Sequence, residues 1–229
     1  MRLFVALLPP PEAVAELVRA LGAVRRRARS SALRWTEPAG WHFTLAFLGE
    51  VPDPARPELD ERLARAARRH GPYELRLAGG GRFGDRALWA GAYGDLTGLA
   101  HLADSVRAAA RRAGAPADEE HGFQPHLTLA YSRDRTRTRT RARSRARMGE
   151  GGRGPGTVDL RPFVEELADF SGEPWVADRL SLVSSALPRS GTPGEQPRYT
   201  VEASWPLGPA SGPAAGQAAP DAEPPGADG

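Results

Sequence analysis

The chain has 229 residues and a formal net charge of +3, and it contains no cysteine. All 31 of its basic residues are arginine, because lysine does not occur. These counts exclude disulfides, thiolate metal sites, thiol nucleophiles, Schiff bases and a P-loop lysine. The abundance of Arg, Ala, Gly and Pro is also what a GC-rich genome produces, so the basic balance alone is not evidence of nucleic-acid binding.

The first segment is the apolar run 3–7, which three prolines at 9–11 interrupt. It is too short for the apolar core of a signal peptide and predicts a buried strand. No run approaches the roughly 20 apolar residues that a helix needs to cross a bilayer. We therefore expect a soluble protein in the cytoplasm, without a membrane partner.

Apolar residues at helical spacing follow the prolines and predict an amphipathic helix that ends near Arg25. Its expected inward face consists of Val14, Leu17, Val18, Leu21 and Val24. An extended piece through Trp35 leads to a strand at 41–48 and then to a second helix at 57–70. These elements form the first of two similar rounds of helix and strand.

The second round begins with two alternating strands, 73–77 and 87–91, which a glycine-rich turn joins into a hairpin. A helix at 96–113 and a strand at 125–131 follow. The last elements are a short helix and two strands, at 163–167, 179–185 and 199–203. A similar order of elements therefore occurs twice.

One His-x-Thr motif lies on a strand of each round, which indicates a duplicated half-domain. We predict an α+β fold with a bilobal, pseudo-symmetric duplication, in which two antiparallel sheets flank a central cleft and the helices lie outside. The predicted domain spans residues 1–205 and presents both motif strands to the cleft.

Two segments do not fit this plan. In residues 132–157, Arg alternates with Thr, Ala or Ser and a glycine-rich stretch follows, so like charges repel and little apolar surface is available for burial. Residues 206–229 are rich in Pro, Ala and Gly and have no core-forming periodicity. We predict that both segments, the Arg-rich insertion and the tail, are disordered.

The first motif occupies residues 42–45 of its predicted strand. Side chains alternate between the two faces of a strand. His42 and Thr44 are therefore expected on one face, and Phe43, Leu45 and Phe47 on the other. The polar face is the one that we expect to line the cleft.

His126 and Thr128 share a face in the same way, so each strand offers an imidazole and a hydroxyl to one cavity. Phosphodiester cleavage without a metal needs one group that takes a proton and another that gives one. The pKa of free imidazole lies near neutral pH, so a neutral and a protonated ring can coexist in one site. The threonine hydroxyls can donate hydrogen bonds to phosphate oxygens, whose charge must be stabilised in the transition state.

Two other interpretations of the histidines carry less weight. A single strand histidine is more often structural than catalytic, but two matched copies at corresponding places are hard to attribute to chance. Neither motif has the His-x-His or His-x-x-x-His spacing that supplies two metal ligands, so we expect no metal and no cofactor. His70, His101 and His121 lack such partners as well, and we interpret them as structural; His121 is set apart only by lying near the second motif.

The stretches 41–51 (WHFTLAFLGEV) and 124–129 (QPHLTL) resemble the signature pair of the 2H phosphoesterase superfamily. The resemblance is closest to the RNA 2',3'-cyclic phosphodiesterase branch, which is also called 2'-5' RNA ligase-like. It extends from Leu3 to about Trp205, without the Arg-rich insertion. Phe83, the pair 88–89 and the stretch 197–199 support it further.

The resemblance implies hydrolysis of a 2',3'-cyclic phosphate at an RNA end to a terminal 2'-phosphate. It also implies that His42 is the proton donor to the departing 3' oxygen and that His126 is the proton acceptor that activates water. Thr44 and Thr128 are implied to bind the phosphate. The ligase name suggests the reverse reaction, which the concentration of water disfavours, so 2'-5' ligation is expected as a weak side activity at most.

One position departs from the family pattern. Members commonly carry an arginine two residues after the last leucine of the second motif, whereas this chain has Tyr131. Tyr131 could stack on a base, and Arg133 or the Arg-rich insertion could supply the missing charge. The aromatic candidates for base stacking are Trp35, Trp41, Phe83 and Trp89. Core packing is the favoured interpretation for Trp41 and Trp89.

The residues leave two other functions open. The chain could be a non-catalytic RNA-binding or regulatory module that binds through the Arg-rich insertion, in which case binding would depend strongly on salt. The same histidine pair could also act on a small 2'-5' linked or cyclic nucleotide. Both motifs are intact, which favours an enzyme. We expect a monomer without an obligate protein partner.

Deletion of residues 135–154 should leave folding and the chemistry on short substrates intact, because this segment is expected to bury no core. The melting temperature and the turnover of a short RNA substrate measure the effect on the full and shortened chains. A large drop in melting temperature would show that the insertion is structured.

Overall fold

Nine strands and four helices lie in the part of the chain that the computed structural model describes, residues 1–26, 30–116, 123–132, 158–186 and 196–209. The strands are β1 (Arg2–Leu7), β2 (Leu33–Trp35), β3 (Phe43–Glu50), β4 (Tyr73–Phe83), β5 (Ala87–Gly94), β6 (His126–Ser132), β7 (Trp175–Ala177), β8 (Arg179–Ala186) and β9 (Arg198–Pro206). The helices are α1 (Pro11–Arg25), α2 (Arg56–Arg68), α3 (Leu96–Arg112) and α4 (Arg161–Leu167). All of these elements except β2 and β7 agree with the predicted order.

The strands form two antiparallel sheets. Sheet A has the strand order β3-β1-β8-β9, and sheet B has the order β2-β6-β5-β4-β7. The two His-x-Thr motifs therefore belong to different sheets, at β3 in sheet A and at β6 in sheet B. This arrangement confirms the predicted α+β fold with one motif in each lobe.

Two helices pack on each sheet. α2 and α3 pack against each other and against β9 and β3 of sheet A, whereas α1 and α4 pack against each other and against β4 of sheet B. α1 follows a strand of sheet A, and α3 follows a strand of sheet B. Each sheet is therefore covered in part by a helix that directly follows a strand of the other sheet. These two crossings of the chain connect the lobes.

The helices bury one apolar face against their sheet. Leu17 and Leu21 of α1, like Leu59 and Leu63 of α2, are almost completely buried, and each contributes about 1.5–3 kcal/mol relative to an exposed side chain. Val18 was predicted on the inward face but is 41% exposed. It lies one residue beyond Leu17, which turns it about 100° away from the buried face.

The glycine cluster at 79–81 lies within β4 and not in the turn of the hairpin, contrary to the prediction. Gly81 pairs with Trp89 of β5, and a Cβ atom at Gly81 would overlap the Trp89 ring. The indole covers the glycine and leaves no room for a side chain. The turn is formed by residues 84–86, where Gly84 adopts a positive φ of 56°.

The fold continues slightly past the predicted domain boundary at 205. β9 ends at Pro206, and Leu207 is buried, with its backbone N–H donating to the carbonyl oxygen of Asp178 at 2.7 Å. Leu207 adds an apolar side chain to the core, so the start of the tail was predicted too early. The remainder of the predicted tail and residues 133–157 of the insertion lie outside the described residues.

Within the described ranges, no helix combines the length and the apolar character that a membrane span requires. The longest of the four helices, α3, has 17 residues.

Candidate active site

A β-bulge in β3 determines which side chains reach the cleft. Thr44 and Ala46 each pair with a residue of β1, whereas Leu45 between them has no partner. The consecutive side chains of Leu45 and Ala46 are both buried as a result. The alternation of faces shifts by one residue at this point. Phe47 therefore lies on the cleft side and is 56% exposed, which corrects the prediction that it faces away from His42 and Thr44.

The second motif strand has the same irregularity at the same place. Thr128 and Ala130 pair with β5, Leu129 is skipped, and both Leu129 and Ala130 are buried. Tyr131 consequently returns to the cleft side and is 41% exposed. Each motif thus contributes a histidine, a threonine and, three residues after the threonine, an aromatic side chain.

These side chains line a common cavity of about 480 Å³ between the two sheets. The two triplets in its lining are His42, Thr44 and Phe47 from the first motif and His126, Thr128 and Tyr131 from the second. The pocket also receives residues from β1, β2 and the region of β9. The sequence therefore predicted correctly that both motifs face one cleft.

His42 immediately precedes β3 and is held by three contacts. Its Nδ1 lies 2.7 Å from the carbonyl oxygen of Gly40, its ring stacks on Phe4 at 4.5 Å between centroids, and the Tyr199 ring meets it edge-on at 5.2 Å. Burial lowers the pKa of His42 below its ordinary value of 6.5; the Gly40 carbonyl raises this pKa and the charge of His126 lowers it further.

His126 is held in a similar way at the start of β6. Its Nδ1 lies 2.8 Å from the carbonyl oxygen of Gln124, and the Phe83 ring meets it edge-on at 4.8 Å between centroids. The ring of Trp89, which covers Gly81, lies 6.2 Å from the His126 ring between centroids. Phe83 therefore contacts the second histidine, although it is not part of the cavity lining.

The two imidazoles have equivalent orientations. In each ring, Nδ1 faces the carbonyl oxygen of the residue two positions earlier, at Gly40 and at Gln124. A carbonyl oxygen only accepts hydrogen bonds, so Nδ1 carries the proton in both rings. Nε2 is the remaining nitrogen in each neutral ring and is the atom that can accept or return a proton.

A hydrogen-bond relay joins the two motifs through Thr36. The indole N–H of Trp41 donates to the Thr36 hydroxyl at 2.9 Å, and the single proton of this hydroxyl is shared between the carbonyl oxygens of Thr128 at 2.7 Å and Leu129 at 2.9 Å. The backbone N–H of Thr36 also donates to Leu129. Thr36 thus fixes the residue before His42 relative to the bulge of β6.

Gln196 holds the same connection from the side of β9. Its amide nitrogen donates to the carbonyl oxygen of Trp35 at 2.8 Å, and its amide oxygen accepts from the backbone N–H of Glu37 at 3.0 Å. Thr36 and Gln196 are the supporting residues that the sequence reasoning missed. Neither belongs to a motif, and apart from the Trp41 indole their partners are 92 to 161 positions away in the chain, so no local pattern indicated them.

Tyr199 was included in the sequence resemblance without a role, and it lies against the first histidine. Burial raises the pKa of Tyr199, Tyr131 raises it further, and the charge of Arg34 lowers it. Its ring also packs edge-on against Phe4 at 5.6 Å and against Gly40, where a Cβ atom would lie 3.0 Å from it. Tyr199 thus contributes a neutral phenol to the lining of the cavity.

The other candidate residues lie in different places. Trp41 is 4% exposed and belongs to the core, Trp35 is half-buried in the cavity lining, and Arg133 lies outside the described residues, as does His121. His70 is a structural residue between Ser105 and Tyr73, and His101 is exposed on α3. Among the described residues, no group of three or more His, Asp or Glu is arranged to hold a metal ion.

Replacing Thr36 by Val should lower the free energy of unfolding by about 1–3 kcal/mol, because the buried indole N–H of Trp41 loses its acceptor. Replacing Thr36 by Ser keeps the hydroxyl and is the matched control. Chemical denaturation measures the stability, and hydrogen exchange of the Trp41 indole measures the relay. An unchanged exchange rate in Thr36→Val would contradict the relay.

Comparison with known families gives an independent result. The sequence model of the 2'-5' RNA ligase superfamily matches residues 9–185. An RNA 2',3'-cyclic phosphodiesterase of Thermus thermophilus is 36% identical over 138 residues, which cover 57% of this chain and 68% of that protein. Enzymes of the same name from Geobacillus stearothermophilus and Aquifex aeolicus are 36% and 29% identical over 100 residues, and the matched region spans only 31% and 53% of their lengths.

Solved structures agree with this assignment. A crystal structure of a Thermus thermophilus protein superposes with a TM-score of 0.64 at 28% identity and covers 92% of this chain and 100% of that one. The apo form of Escherichia coli LigT superposes with a TM-score of 0.62 at 24% identity, over 90% of this chain and 97% of that one, which shows a shared fold. With a family match over most of its length and both motifs at one cleft, the chain belongs to the 2'-5' RNA ligase superfamily of 2H phosphoesterases.

Proposed function

We propose that the protein hydrolyses 2',3'-cyclic phosphate ends of RNA to 2'-phosphates by a two-histidine acid and base mechanism that needs no metal. The observation that carries the proposal is the pair of equivalent imidazoles, one from each sheet, in a single cavity. The names of the relatives support the same reaction. Metal independence rests on the sequence, in which neither motif supplies two ligands from one element.

In this proposal, Nε2 of His126 takes a proton from the attacking water, and His42 gives a proton to the departing 3' oxygen. Thr44 and Thr128 lie beside the two histidines on the same strand faces and donate hydrogen bonds to the non-bridging oxygens of the phosphate. The bond from phosphorus to O3' breaks, the bond to O2' is kept, and a 2'-phosphate and a 3'-hydroxyl result. A 5'-hydroxyl that attacks the cyclic phosphate in place of water would form a 2'-5' phosphodiester with the same loss of O3', which is weak 2'-5' ligation.

The burial of His42 bears on its role as the acid. A ring with a lowered pKa is mostly neutral at pH 7 in the free protein, and a neutral ring has no proton to give from Nε2. The cyclic phosphate carries one negative charge, and its entry beside the ring raises the pKa of His42 again. Substrate binding therefore favours the protonated, positively charged ring of His42, which can act as a proton donor.

The test is an assay of metal-free protein with a chelator on an oligoribonucleotide that ends in a 2',3'-cyclic phosphate. The 2'-phosphate product should form, and His42→Ala and His126→Ala should each lower kcat by at least about 100-fold. His101→Ala, an exposed histidine on α3, is the matched control and should keep full activity. Loss of wild-type turnover with the chelator would overturn the metal-free mechanism.

The pH dependence of kcat/KM tests the role of His42. If the free protein must hold His42 protonated, kcat/KM falls as the pH rises through its pKa, and burial places this fall below pH 6.5. The fall of kcat should occur at higher pH, because the bound phosphate raises the same pKa.

A cyclic substrate with sulfur in place of O3' tests the two roles separately when the histidine mutants are assayed on it. Sulfur leaves without protonation, so this substrate bypasses the acid. It should restore much of the activity of His42→Ala and little of that of His126→Ala. The opposite pattern of rescue would exchange the two roles while leaving the overall reaction intact.

A further inference from the structure

Arg34 and Tyr131 form a pair at the edge of the cavity. They face each other across β2 and β6, and the guanidinium carbon of Arg34 lies 5.2 Å from the centre of the Tyr131 ring. Both residues line the cavity, and Tyr131 is there because of the bulge at Leu129. The ring holds the guanidinium in place by a cation–π contact and takes none of its hydrogen-bond donors.

The charge of Arg34 is not neutralised by a carboxylate in the described part of the chain. Most ion pairs of the described residues join an arginine to an acid within four positions, and Arg34 is in none of them. Glu37 shares the cavity lining but forms no ion pair with Arg34. A half-buried cation with open donors favours an anionic ligand.

The position of the pair relative to the motif threonine indicates which anion. Tyr131 lies three residues beyond Thr128, which is on the order of 10 Å along a strand. Arg34 is paired with Tyr131 and its guanidinium is held over that ring, so its charge is assigned to this end of the cavity and not to the phosphate that contacts Thr128. It is placed instead for a second phosphate, one nucleotide away in an extended single strand.

We propose that Arg34, held on the ring of Tyr131, binds the phosphodiester group on the 5' side of the nucleotide that carries the cyclic phosphate. This inference rests on the proposed function. The consequence is a preference for the end of an RNA strand over a nucleoside 2',3'-cyclic phosphate with a free 5'-hydroxyl.

The experiment compares three substrates: a dinucleotide with a 2',3'-cyclic phosphate end, the same dinucleotide with an uncharged methylphosphonate linkage, and the nucleoside 2',3'-cyclic phosphate. Arg34→Gln should raise KM for the charged dinucleotide about tenfold and leave kcat nearly unchanged. It should have little effect on the other two substrates. The salt dependence of log(kcat/KM) for the charged dinucleotide should become weaker, because one charge contact is lost.

Arg76→Gln is the matched control. Arg76 lies 4.5 Å over the ring of its cross-strand partner Tyr93 in the same sheet, but this pair does not line the cavity, so the change should alter none of the three reactions. Arg34→Lys should recover part of the loss, and Tyr131→Phe should preserve the platform. Tyr131→Leu should reproduce part of the effect of Arg34→Gln.

Equal losses on all three substrates in Arg34→Gln would place Arg34 on the reacting phosphate and overturn the subsite. No loss on any substrate would overturn it as well. If the wild type opens none of the cyclic phosphates, the proposed function itself fails, whereas activity on all three with no effect of the linkage charge removes only the subsite.

Discussion

A one-residue bulge after each motif threonine is the constraint on which this site depends. A regular strand would present every second side chain to the cleft, which would add the small residues Ala46 and Ala130 to the histidines and threonines. The bulges bury these alanines instead and turn Phe47 and Tyr131 inward. The site therefore consists of two related triplets, and the aromatic ring of the second one holds Arg34 at the cleft.

The bulge of β6 is also the point at which the two motifs are tied together. The carbonyl oxygens at 128 and 129 accept the hydroxyl of Thr36, and this hydroxyl accepts the indole N–H of Trp41. The two motif histidines are divided between two sheets, and the proposed mechanism needs such a tie because small changes in their separation would misplace both proton transfers. Threonine suits this place because one hydroxyl can accept from one lobe and donate to the other.

The sequence was sufficient for the α+β fold and for both His-x-Thr strands, because these depend on local periodicity and on a repeated pattern. It was insufficient for Phe47, since a bulge is decided by pairing with β1 and leaves no mark in the alternation of apolar residues around it. Thr36 and Gln196 escaped for a related reason. Their partners in the other lobe are distant in the chain, and single polar residues near a turn are common in any sequence.

The electrostatics of the cleft follow from these contacts. The Phe4 ring, which stacks on His42, and the Tyr199 ring, which meets it edge-on, remove water from the imidazole, and this burial lowers the pKa of His42 and reduces its positive charge in the free protein. Arg34 contributes a guanidinium at the other end of the second triplet. In the proposed mechanism, attraction of the RNA strand and protonation of the leaving oxygen would therefore be carried out by different groups, and His42 would become charged only when a phosphate is bound.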